Sequence, residues 1–184
     1  MALLHTPQKE EGFYAPDFSL KNIDGSTVSL ADVKGENGTL VMFICNHCPY
    51  VKGIMDRLPQ TAKALQDKGI GVVAIMSNDT ENYPDDSFEN MQKFSKENNF
   101  TFPYLIDETQ GVAKAYDAIC TPDFFGFDKD GALQYRGRLD SSGKDPANDG
   151  TTPELLDAMS QIAETDAGPA AQTPSMGCSI KWKA

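Results

Sequence analysis

TLVMFI, Thr39 to Ile44, is an apolar run of strand length that leads without a break into CNHCP. A run with no polar alternation fits a strand covered on both faces. Pro49 then suits the first position of a helix, where its missing N–H costs nothing. A buried strand that delivers Cys45, His47 and Cys48 to a helix start leaves few architectures open. It needs parallel neighbours in a sheet and helices on both sides.

The rest of the chain supplies them. Asp17 to Leu30 reads as a β-hairpin turning at Asp24-Gly25. From Tyr50 to Lys68, residues Val51, Ile54, Met55, Leu58, Ala62 and Leu65 recur at helical spacing, with a kink expected at Pro59 and a stop at Gly69. Gly71 to Ser77 is a second buried strand. A helix is expected over about Ser87 to Asn98, a strand over Pro103 to Asp107, and a short helix over Gly111 to Tyr116. FFGFDKDGALQYRGRL reads as a hairpin turning at Asp130-Gly131. A last helix is predicted from Thr152 to Glu164, with Thr152 as N-cap and Pro153 at its first position. The order predicts an α/β chain: a central mixed β-sheet, parallel with an antiparallel edge, flanked by helices and preceded by an N-terminal β-hairpin. One domain covers 1–184, with its core at about 13–165 and an extended C-terminal arm at 166–184. The arm ends in GCSIKWKA, where Cys178, Ile180 and Trp182 alternate as in a strand, so it is expected to dock on the body.

Length and charge narrow the function. A chain of 184 residues, 40% hydrophobic and 23% charged, suits one cored globular domain. A net charge of −11 speaks against nucleic acid or anionic membrane as partner. MALLHTPQKEEGF has no basic start or long apolar run, and no stretch of 18 apolar residues occurs. The expected location is therefore cytoplasmic. In a reducing compartment, four cysteines point to catalysis or metal binding more than to structural crosslinks.

The thiols carry the chemistry. With Pro49 at the first helical position, Cys48 becomes the N-cap, facing unpaired amides and the positive helix end. Such placements bring a cysteine from about 8.5 to roughly 3.5–7.5. His47 adds a cationic neighbour. Cys48 is thus read as the nucleophile and Cys45, less exposed and less ionised, as the resolving thiol. The opposite assignment stays open. A zinc site needs four ligands, and beyond this cluster only the isolated Cys120 and Cys178, and His5 in a loose terminus, remain; no metal and no cofactor are expected. ICTPDFF places Thr121-Pro122 before a buried strand, where a cis bond would turn the Thr121 backbone toward the nucleophile and offer an edge to substrate. Cys120 and Cys178 are possible additional redox partners. The acidic run NYPDDSFEN reads as a solvated loop, Arg136 and Arg138 as structural ion pairs, and Trp182 as an anchor of the arm.

The stretches APDFSL, CNHCPYVK, FPYLIDETQ, VAKAYDAICTPDFFGFDKDG, YRGRLD and PSMGCSIKWK span nearly the whole chain. Together they resemble the redoxin (AhpC/TSA-type) thioredoxin family, in its peroxiredoxin-like branch. The resemblance implies a thioredoxin-like fold and thiol redox chemistry. The spacing from Phe43 resembles that between thioredoxin's strand phenylalanine and its first active-site cysteine; it puts Cys48 in the nucleophile's place and Val51 in that of the second cysteine. Cys45, Cys120 or Cys178 must then resolve. Peroxiredoxins carry a hydroxyl residue three positions before the peroxidatic cysteine, whereas Met42 precedes Cys45 and Cys45 precedes Cys48 at that distance. His47 resembles the histidine of oxidising disulfide-exchange proteins, where it favours the reduced thiolate. The leading expectation is a thiol–disulfide oxidoreductase working on a protein or small-molecule disulfide with an unidentified reductant. The alternatives are a thiol-dependent antioxidant peroxidase and a soft-metal-binding thiol module.

Overall fold

The computed structural model describes residues 2–184. Its main sheet has seven strands: β2 (Ser19–Asn22), β3 (Thr27–Ser29), β4 (Thr39–Phe43), β5 (Gly71–Met76), β6 (Tyr104–Ile106), β8 (Asp123–Phe127) and β9 (Leu133–Arg136). Their spatial order is β3-β2-β6-β5-β4-β8-β9. The pairs β4–β5 and β5–β6 are parallel, and the remaining neighbours are antiparallel. The sheet is therefore mixed, with β4 central and paired on both sides.

β4 shows why its sequence carries no polar alternation. Leu40, Met42 and Ile44 face one apolar cluster, and Val41 and Phe43 face the other, as the two-residue period of a strand requires. Each fully buried side chain of this size is worth about 1.5–3 kcal/mol. The turns fall where expected: Gly25 (φ 88°) closes β2–β3 and Gly131 (φ 86°) lies between β8 and β9, both in the left-handed region that glycine reaches freely. Six helices accompany the sheet: α1 (Leu30–Val33), α2 (Pro49–Lys52), α3 (Leu58–Asp67), α4 (Phe88–Glu97), α5 (Gly111–Tyr116) and α6 (Glu154–Thr165). None is long and apolar enough to cross a membrane among the described residues.

Three expectations need correction. The helix foreseen over Tyr50 to Lys68 is two helices, α2 and α3, separated by turns at Gly53–Arg57. In a continuous helix the Pro59 ring would clash with the carbonyl four residues back, whereas in the first turn of α3 it fits. The break also lets Lys144 pack against Gly53, where a β-carbon would overlap the Lys144 carbonyl. α6 starts one residue late: Pro153 is its N-cap, and Thr152 instead donates its amide to the Ser141 hydroxyl oxygen at 2.8 Å. Finally, the amino terminus is not loose. β1 (Leu3–His5) pairs antiparallel with β10 (Met176–Ser179), which pairs antiparallel with β7 (Cys120–Thr121), forming a second sheet in the order β1-β10-β7. The arm docks as predicted, but by strand pairing that its local alternation does not specify. Beyond β10, Lys181 is held by its amide on Asn78 Oδ1 (2.9 Å) and by its carbonyl, which accepts from Asp79 N and Gln110 Nε2 (both 2.8 Å). Trp182, expected to anchor the arm, is exposed, with Lys114 Nζ 5.6 Å from its ring centroid.

Candidate active site

The strand end, the helix start and β7 converge on two sulfurs. Cys48 is the N-cap of α2 with extended backbone, and Pro49 opens the helix, as the sequence predicts. The neutral Cys48 thiol donates to the Thr121 carbonyl at 3.5 Å, and Cys45 Sγ lies 3.6 Å from Thr121 Oγ1. The Thr121-Pro122 peptide bond is cis.

The two thiols share their ionisation unequally. Cys48 is lowered to about 4, first because the Cys45 thiol hydrogen-bonds to it, and further because the Cys178 thiol and amide and Thr121 also donate; burial opposes them. Cys45 moves the other way, well above its ordinary value, because it is the donor to Cys48 and because it is buried. The sequence leads one to expect the same inequality of ionisation, but from a different cause. The four-residue α2 makes no side-chain cap bond to Cys48. Neighbouring donors, not the helix end, hold the charge.

The predicted difference in exposure is not found. Cys48 is 0% and Cys45 1% exposed. What covers Cys48 is β10: Cys178 is paired with Thr121, and both its thiol and its amide reach the Cys48 sulfur. The edge foreseen for a substrate is occupied by the chain's own arm. Gly177 makes this possible, since a β-carbon there would run into the Thr121 carbonyl. Cys120 takes a different position. It is buried opposite Ser179, burial pushes its thiol up to about 12, and strand alternation turns it away from the Thr121 side chain that faces Cys45. A cavity of about 200 Å³ opens beside β10, with Tyr50, Pro122, Arg138, Lys144 and Met176 among its walls.

His47 is anchored by a residue that sequence reasoning missed. Its Nδ1 lies 2.6 Å from Asp86 Oδ2, and its ring stacks on Tyr83. Asp86 belongs to the acidic run read as a solvated loop, yet it is fully buried. Its carboxylate also accepts the Asn46 amide at 2.8 Å and Asn78 Nδ2 at 2.9 Å, and Asn46 in turn accepts the Tyr104 hydroxyl at 2.8 Å. The hydrogen bond to Asp86 raises the His47 pKa, and the Cys48 charge acts in the same direction. Both shifts favour the charged forms, imidazolium at His47 and thiolate at Cys48. Asp86→Asn is expected to bring the His47 titration down toward the ordinary 6.5, measurable by NMR of the ring protons. The Cys45 sulfur, a His47 ring nitrogen and an Asp86 oxygen lie within 4.8 Å of one another, a donor set that thiophilic ions accept.

A covered nucleophile makes a prediction about the strand. Gly177→Val should lift β10 from Thr121, expose Cys48 and remove the Cys178 donors. Alkylation of Cys48 near neutral pH is expected to accelerate by roughly ten-fold or more, since each 1.4 kcal/mol of lost docking is about a factor of ten. An unchanged rate means that β10 does not control access.

The AhpC/TSA family model matches residues 12–136. The chain belongs to the AhpC/TSA family. It is 32% identical over 125 residues to the thioredoxin-like protein YneN of Bacillus subtilis (strain 168), covering 68% of this chain and 69% of that one. The thiol-disulfide oxidoreductase ResA of Bacillus thuringiensis subsp. konkukian (strain 97-27) is 29% identical over 124 residues, 67% of each chain. An uncharacterised conserved protein from Geobacillus kaustophilus has a crystal structure similar over 100% of this chain and 97% of its own, with TM-score 0.94 and 48% identity. The thioredoxin domain of a thiol-disulfide oxidoreductase from Bacteroides vulgatus superposes with TM-score 0.58 at 22% identity, over 69% of this chain and 87% of that one. The fold is thioredoxin-like, and the protein is an oxidoreductase.

Proposed function

We propose that the protein is a thiol–disulfide oxidoreductase in which Cys48 attacks and Cys45 resolves. The observation that carries this reading is the asymmetric thiol pair: Cys48 held ionised at about 4 and Cys45 held protonated beside it. A thiolate is the attacking species in disulfide exchange, and a protonated neighbour is held in reserve until the first step has removed the charge. Cys48 attacks a substrate disulfide, one substrate thiolate leaves, and the mixed disulfide no longer accepts the Cys45 hydrogen bond. Cys45 then loses the first cause of its raised pKa and attacks Cys48, its proton going to the second substrate thiolate as that leaves. Asp86 and the Cys48 charge both raise the His47 pKa, which favours a cationic ring beside the thiolate. Substrate reaches the sulfur only when β10 withdraws from the Thr121 edge. An extended segment of a protein substrate, pairing as β10 does, is the natural occupant. All four cysteines are free thiols, which suits a reducing location such as the cytoplasm.

The test is turnover of a model disulfide by the reduced protein across pH. Between about pH 6 and 8 the rate of the first step is expected to stay nearly flat, because Cys48 is already ionised, whereas a free thiol gains roughly ten-fold per unit. A rate that climbs in parallel with free cysteine sinks the reading. Peroxide consumption no faster than that of a free thiol is expected, because neither Met42 nor Cys45 supplies the positioning hydroxyl; rapid consumption would instead favour the peroxidase.

A further inference from the structure

The cysteine of β10 stands where a bound substrate would put its own. Cys178 pairs in register with Thr121, on the edge beside the nucleophile, and its thiol is within hydrogen-bonding reach of Cys48. β10 joins the body through backbone pairing on both sides, with β7 and with β1, and Ser175 just before it donates its hydroxyl to the Pro122 carbonyl at 2.7 Å. Gly177 removes the one side chain that would prevent the approach. An arm built only to close the sheet needs no thiol at this position. Of the four cysteines, Cys120 lacks these contacts and Cys45 is already assigned.

We propose that Cys178 is a third redox thiol, carried on a strand that acts as an intramolecular substrate and forms a disulfide with Cys48. The proposal rests on the exchange reading above. With β10 withdrawn, the Cys48 thiolate breaks an external disulfide, forms a Cys48–substrate disulfide and expels one substrate thiolate. When β10 pairs again with β7, Cys178 loses its proton to solvent and attacks the Cys48 sulfur. The Cys48–Cys178 bond forms, the Cys48–substrate bond breaks, and the second substrate thiolate leaves and is protonated. Two protein thiols are oxidised and one external disulfide, the oxidant, is reduced to two thiols. The return of the strand and the release of product are then one event. Cys45 can subsequently displace Cys178, leaving the Cys45–Cys48 disulfide and a free arm thiol with no further electrons exchanged.

The experiment uses an aromatic disulfide that releases a coloured thiolate, followed by alkylation and peptide mapping. In Cys45→Ser, two coloured equivalents per chain and a Cys48–Cys178 linked peptide pair are expected. In Cys45→Ser/Cys178→Ser, one equivalent is released and the aromatic group stays on Cys48. If Cys45→Ser behaves like the double variant, with Cys178 alkylated, the proposal is overturned while the exchange reading stands. If Cys48 remains unmodified in both chains and in the parent, both fall. The unsubstituted chain gives the same answer without a folding question. Acid-quenched after a short exposure, it is expected to contain the Cys48–Cys178 pair alongside Cys45–Cys48. Its absence at every quench time, with Cys178 fully alkylated, contradicts the proposal.

Discussion

Cys48→Ser is expected to reduce disulfide turnover to the uncatalysed background, a loss on the order of 10³-fold or more. The hydroxyl stays protonated at neutral pH, and the donors that lower the cysteine to about 4 cannot bring an alcohol into range. Structural collapse is not the cause, because serine preserves the shape and can still donate to the Thr121 carbonyl, as the neutral thiol does. The variant also releases Cys45 from its role as donor, so the Cys45 thiol should titrate closer to its ordinary value. A stopped assay with a model disulfide, paired with a thermal melt to establish folding, reads both effects. Substantial turnover in folded Cys48→Ser would transfer the nucleophile's role to Cys45.

The largest effect on stability is expected at the start of β8, directly after the cis Thr121-Pro122 bond. Asp123 is fully buried, and its carboxylate receives Arg136 Nε at 3.3 Å and Nη2 at 2.8 Å. The guanidinium also lies 4.4 Å from the Phe125 ring centroid and donates to the Asp117 carbonyl at 3.0 Å, at the end of α5. Burial pushes the Asp123 carboxyl up to about 6 even though Arg136 pulls it down. Arg136→Met keeps the apolar stem but leaves a buried carboxylate without its partner, which costs about 3–5 kcal/mol. The pH dependence follows from the sign of the shift. A carboxyl raised above its unfolded value of 3.8 favours the folded state when protonated, so this contribution is complete at acidic pH and lost as pH rises through about 6. Without Arg136 the folded value rises further. The deficit of the variant, read by urea melts, should therefore be smaller at about pH 5 than at about pH 8. Equal deficits at both would mean that Asp123 does not stay buried in the variant.

Where the sequence was sufficient, the determinants were local. The period-two burial of Leu40 to Ile44, the turns at Gly25 and Gly131, and the helix start at Pro49 each depend on a few adjacent residues. The failures were long-range or masked. Val51, Ile54, Met55 and Leu58 are buried or half-buried on both sides of the α2–α3 break, so helical spacing persists through a segment that is not helical. Asp86 lies among acidic residues, most of them exposed, and only its partners, 8 to 40 residues away in sequence, reveal that it points inward. The placement of β10 depends on pairing with residues more than 50 positions earlier and with the amino terminus. Its consequence, a nucleophile covered by the chain's own arm, has no local signature. The low value of Cys48 was anticipated for the wrong physical reason: a helix of four residues contributes little, and three side-chain neighbours contribute most.

That origin can be measured on one atom. The thiolate absorbance of Cys48 in the ultraviolet, titrated in a chain carrying Cys120→Ala and compared with the same chain also carrying Cys45→Ala, isolates both the charge and its cause. Deprotonation at about 4 is expected in the first, and a clear rise toward the ordinary value of 9 in the second, because the main donor to the sulfur has been removed. A Cys48 that ionises near 9 in the presence of Cys45 would contradict the account directly.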